Sequence, residues 1–97
     1  MIQKNQIIKE LQQLKPMLQR DFGLTEIALF GSVAREDNKQ GSDIDLIIGL
    51  SKNTSSNFFN IAFQLQDFFH PVKVDIVTKG GIKPAYLKSI EKDLIYV

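Results

Sequence analysis

Residues 26–50 read EIALFGSVAREDNKQGSDIDLIIGL. Two apolar runs, EIALF and DIDLIIGL, flank a polar stretch, and each carries residues that a plain core strand does not need. The first runs into Gly31-Ser32, and the second opens with Asp43 and Asp45, one residue apart. Side chains alternate along a strand, so Asp43 and Asp45 share a face while Ile44 and Leu46 point to the core. A two-residue rise of about 6.6 Å puts the carboxylates about 5–7 Å apart. Like charges at about 6 Å repel by about 3 kcal/mol at an effective dielectric near 20. That is a large sum against a total stability of about 5–15 kcal/mol. A cation between the two acids reverses its sign, and Mg²⁺ is the natural candidate because it binds one or two carboxylates together with substrate phosphates.

The residues outside this stretch supply a third acid. VKVDIVT, residues 72–78, reads as another strand, with Val74 and Ile76 turned inward and Asp75 to the opposite face. If the two strands are neighbours, three carboxylates converge, as two-metal phosphoryl chemistry requires. Acids alternating with apolar residues also mark the solvent face of any half-exposed strand, and a lone D-x-D is more often that. Gly31-Ser32 alters the balance. It stands between a strand and a short helix, Ser32 to about Glu36, with Ser32 expected as N-cap. Free backbone N–H groups and the helix dipole there favour an anion, glycine allows close approach, and Ser32 adds a hydroxyl. Arg35, one turn on, can bring a guanidinium to the same place. A Gly-Ser turn alone is common, and neither a Walker loop nor G-x-G-x-x-G occurs.

The remaining pattern completes an α-β-α-β-α-β-α order. Ile7, Leu11, Leu14, Leu18 and Phe22 form the stripe of an amphipathic helix ended by Gly23, with a kink or break expected at Pro16. A second helix is expected over about 57–70, capped by Ser55 or Ser56, with Phe58, Ile61, Ala62, Leu65, Phe68 and Phe69 inward. Phe59 and Phe63 fall off that stripe, as interface aromatics often do. A last helix runs from about Pro84 to Lys92, and LIYV closes the chain. The expected fold class is α/β (α+β): a small mixed sheet of three or more strands, covered by helices on one face.

The totals agree with one domain over residues 1–97. Twelve basic against eleven acidic residues leave +1, with no basic stripe, so direct nucleic-acid binding is not expected. There is no cysteine and no long apolar run, which fits a cytoplasmic domain with no membrane contact. His70 before Pro71 reads as a helix-end residue, Tyr86 and Tyr96 as packing residues, and Lys73 and Lys79 as solvated lysines.

Taken together, G-S-x-A-R followed by S-D-x-D-L resembles the signature of the DNA polymerase β-like nucleotidyltransferases. More closely it resembles the minimal nucleotidyltransferases that act as antitoxins beside HEPN-domain toxins. The matching residues are Gly31, Ser32, Ala34, Arg35, Ser42, Asp43, Asp45 and Leu46, with Asp75 in the third carboxylate's place. The resemblance implies a palm-like fold and transfer of AMP from ATP to an acceptor hydroxyl, usually a toxin tyrosine, with loss of pyrophosphate. It implies that Gly31 and Ser32 hold the β- and γ-phosphates and that Asp43, Asp45 and Asp75 bind two Mg²⁺ ions. Asp75 would also help activate the acceptor, while Arg35 and Ser42 would complete the nucleotide side. A hetero-oligomer with the toxin is expected. One departure stands out: the family commonly has glycine after the Arg, and here Glu36 and then Asp37 follow. Two competing readings keep the same residues. In one the domain silences its toxin by binding alone; in the other the acceptor is a small hydroxyl compound of the antibiotic type.

Overall fold

The computed structural model describes residues 3–39, 41–51 and 55–97. Helix α1 (Lys4–Phe22) is followed by β1 (Leu24–Phe30), a short α2 (Gly31–Arg35), β2 (Ile44–Leu50), α3 (Ser55–Phe69) and β3 (Val74–Thr78). A 3-10 turn over Lys79–Gly81 leads to α4 (Pro84–Ile90), another over Glu91–Asp93 follows, and β4 (Ile95–Tyr96) ends the sheet. The strand order is β3-β2-β1-β4. β1 runs antiparallel to both β2 and β4, whereas β2 and β3 are parallel, joined across the sheet by α3.

Of the kink or break expected at Pro16, the break does not occur, since α1 runs through it. Pro16 and Gln12, whose carbonyl loses its partner to the ring, are both exposed, so water can serve that oxygen. Leu11 and Leu18, on either side of the proline, are fully buried and anchor both halves of the helix on the core. Gly23 ends the helix as expected, at φ 74° with its N–H donating to the Leu18 carbonyl. The expected caps of α3 lie at the edge of the described residues. Ser56 sits inside the first turn, and the residues before Ser55 are not described.

Two layers of apolar packing sandwich the sheet, which corrects the expectation of helices on one face only. On one side Ile44, Leu46, Ile48 and Val74 meet Leu11 and Leu18 of α1 and Ile61, Leu65 and Phe69 of α3. On the other, Ala28, Phe30 and Ile47 meet Leu87 and Ile90 of α4 and Leu94. That second layer is small, because the expected last helix stops at Ile90 and gives way to the 3-10 turn. It covers only part of the sheet, and the acids occupy the rest. Phe68, expected in the core, is 45% exposed, stacking edge-on against Phe69.

Candidate active site

β1 delivers the chain to the site. Phe30 is buried and extended, at φ −143° and ψ −174°, and it is the N-cap residue of α2. Ser32 is therefore not the cap, as the sequence suggested, but lies in the first helical turn. Gly31, at φ 79°, turns the chain sharply out of β1 and into α2. A Cβ at Gly31 would overlap the carboxylate of Asp45. The glycine is thus required twice over, by its backbone angle and by the acid pressed against it. The first N–H groups of a helix have no partner within it, and here they begin beside that carboxylate.

β2 begins at Ile44, so Asp43 stands just before the strand and Asp45 within it. The parallel pairing of β2 with β3 sets Asp45 directly against Asp75, on the face that carries Ile47 and Val77. The Asp45 carboxyl is pushed above its usual range, first by burial and then by the charges of Asp75 and Asp43; Arg35 pulls it back. Its neighbours therefore crowd it electrostatically. Even so, among the described residues no three Asp, Glu, His or Cys side chains are gathered around one point as a metal would hold them. Asp75 instead turns towards Lys73, at 3.7 Å. The donors are all hard carboxylate oxygens, and the field at Asp45 is one that a cation would relieve, so the set fits a hard divalent ion.

Ser42 braces the loop ahead of the acids: its hydroxyl oxygen accepts the Lys39 N–H at 2.8 Å, and its own N–H donates to the Lys39 carbonyl at 3.0 Å. Arg35 lies at the far end of α2, exposed. Its Nε donates to Asp37 at 3.0 Å, and its Nη1 stands 3.6 Å from Asp93 on the second 3-10 turn. Sequence reasoning missed Asp93, because nothing local marks a partner nearly sixty residues away. Glu36 caps α2 in the left-handed region, at φ 62°. This explains in backbone terms why glycine suits the position. Its carboxylate faces Lys4 of α1 at 2.6 Å, and Asp37 is engaged by Arg35, so each added acid has a cationic partner.

The nucleotidyltransferase domain family matches residues 4–97. The chain belongs to that family. A relative in Methanocaldococcus jannaschii, named by inference as a protein adenylyltransferase, is 40% identical over 89 residues, covering 90% of each chain. A solved structure described as a minimal nucleotidyltransferase superposes with a TM-score of 0.80 at 23% identity, over 97% of this chain and 95% of the other. A Shewanella oneidensis complex of a tri-AMPylated HEPN toxin with its MNT antitoxin contains a chain matching at TM-score 0.59 and 22% identity. That match covers 96% of this chain and 66% of that one. At such identities the two structures establish the palm-like nucleotidyltransferase fold, and the family match rests on sequence.

Proposed function

We propose that this nucleotidyltransferase transfers AMP from ATP to a hydroxyl of a HEPN-domain toxin, most simply a tyrosine, and so acts as its antitoxin. The observation that carries the reading is the contact of Gly31 with the Asp45 carboxylate, which joins a phosphate-facing turn to a row of acids. The naming of the Methanocaldococcus jannaschii relative and the modified toxin in the Shewanella oneidensis complex support the choice of acceptor.

In this mechanism the N–H groups of Gly31 and Ser32, with the Ser32 hydroxyl, hold the β- and γ-phosphates. Asp43, Asp45 and Asp75 would hold Mg²⁺, two ions in this reading. Bound there, Mg²⁺ would neutralise charge on the triphosphate and make the acceptor hydroxyl more acidic. The acceptor oxygen bonds to the α-phosphorus as the bond from that phosphorus to the bridging oxygen breaks, and pyrophosphate leaves. Asp75, on an edge strand open to an incoming protein, takes the hydroxyl proton. Arg35 contributes positive charge from the end of α2, and Ser42 fixes the loop that presents Asp43. No helix among the described residues is long and apolar enough to cross a membrane. A cytoplasmic complex with the toxin fits the supply of ATP.

The test is the intact mass of a co-expressed HEPN toxin. Wild type should add one or more AMP units, and Asp43→Asn/Asp45→Asn should add none. A toxin of unchanged mass that is still bound and silenced by wild type would replace this reading with neutralisation by contact.

A further inference from the structure

Arg35 stands between two carboxylates that come from different parts of the molecule. Asp37, two residues along the chain and more than half exposed, accepts the Arg35 Nε–H at 3.0 Å. Its own N–H donates to the Ser32 carbonyl at 3.0 Å, so Asp37 fixes Arg35 only to the end of its own helix. Asp93 is different. It belongs to the 3-10 turn over Glu91–Asp93, its side chain is only 19% exposed, and it lies 3.6 Å from Arg35 Nη1. The next residue, Leu94, packs against Ala28, Phe30 and Ile47, on the sheet face that carries Asp45. Phe30 is paired in register with Asp45 and leads directly into Gly31. Asp93 thus joins the guanidinium to the strands that hold the acids. The charge of Arg35 is felt there, since it draws the Asp45 carboxyl back down.

We infer that Asp93 is a positioning residue: it holds the Arg35 guanidinium at the acid end of the sheet, so that Arg35 meets the triphosphate already ordered. The inference rests on the AMP-transfer reading above and names a residue that acts within it without touching nucleotide or acceptor. A free arginine side chain has much rotamer entropy to lose when it closes on a ligand. A second point of attachment removes that loss before the nucleotide arrives. A carboxylate suits the task, because its geometry matches the rigid fork of the guanidinium. Low exposure shields the pair from competing water, which sets Asp93 apart from the exposed Asp37.

A double-mutant cycle tests this, read by calorimetric binding of AMP-PNP with Mg²⁺ and by AMP transfer to an added HEPN toxin. Asp93→Asn should weaken AMP-PNP binding about tenfold, the cost of ordering one long side chain at the moment of binding. Arg35→Ala should weaken it by at least as much. The double variant should bind no more weakly than Arg35→Ala alone, because Asp93 then has nothing left to hold. Asp93→Glu should recover part of the affinity, and the KM for ATP should follow the same series. A role confined to folding would make the double variant weaker than Arg35→Ala, and that additive result overturns the proposal. So does an Asp93→Asn chain that binds AMP-PNP as tightly as wild type, or more tightly, in which case Asp93 only offsets the charge of Arg35. If wild type binds AMP-PNP but puts no AMP on the toxin, the transfer reading falls while the binding cycle still decides the role of Asp93. A wild type that binds no AMP-PNP overturns both.

Discussion

Removing one charge from the site should make the protein more stable while ending its activity. Asp45 is half-buried, paired in register with Asp75 on the neighbouring strand and two residues from Asp43. Carboxylates about 6 Å apart repel by about 3 kcal/mol at a dielectric near 20, and partial exposure reduces that to about 1 kcal/mol per neighbour. Burial adds a cost of the same sign, and Arg35 subtracts from it. Asp45→Asn in metal-free buffer at neutral pH should therefore gain about 1–2 kcal/mol, or about 5–10 °C in Tm for a domain of this size. The pH dependence follows from the direction of the shift. Folded Asp45 holds its proton more tightly than the unfolded chain does. Its contribution is fully present below the ordinary carboxylate range and is lost as pH rises through its raised value. The gap between wild type and Asp45→Asn should accordingly open as pH climbs from about 4 towards 7. With no tryptophan in the chain, thermal melts followed by circular dichroism in EDTA are the assay. Adding Mg²⁺ with ATP should then raise the wild-type Tm and leave the variant's in place. An Asp45→Asn protein no more stable than wild type in EDTA would refute the crowding on which the metal site is argued.

Three further outcomes follow from other contacts. Gly31→Ala must accommodate a Cβ against Asp45 at a positive φ, so it should lose about 1–3 kcal/mol and cut AMP transfer at least a hundredfold; denaturant melts and turnover assays check the two effects. Replacing Glu36 by alanine or glycine removes the same ion pair with Lys4, yet the glycine form should be the more stable by about 1 kcal/mol because only it sits freely at φ 62°. The Gln66 side chain donates to the Val72 carbonyl at 2.9 Å and accepts from the Val74 N–H at 3.0 Å. Gln66→Ala should therefore cost about 1–2 kcal/mol in urea melts, by stranding the backbone that starts β3.

The α/β class was legible in the alternation of helical and strand patterns, and the residues of the proposed site stood out within it. Gly31, Asp43 and Asp45 announce themselves because each breaks a local rule: a positive φ after a strand, and charge where a strand should be silent. Asp75 could be added from alternation alone, but its pairing with Asp45 depends on β2 and β3 being parallel neighbours, which no local pattern encodes. Pro16 does not break α1, because burial of Leu11 and Leu18 outweighs one missing hydrogen bond. Ser32 misled because a side-chain cap was expected, whereas α2 follows Phe30 with no side-chain cap at all. The 3-10 turn that replaces the end of the last helix brings Asp93 to Arg35, a long-range contact with no signal near either residue.

The order in which these contacts can form carries a consequence for the chain as it folds. β1 and β2 are antiparallel with only α2 between them, so the Gly31-Ser32 turn and two of the three acids come from a single local excursion of the backbone. β3 is different: it must travel the length of α3 to lie parallel to β2, and such distant pairings close slowly. Asp75 therefore joins the other two acids only once that longer-range pairing has formed. A partly folded molecule with β1, α2 and β2 in place would hold the Gly31-Ser32 turn and the acidic pair without the acid proposed to take the acceptor's proton. Under the proposed reaction, transfer would then be confined to molecules whose sheet includes β3.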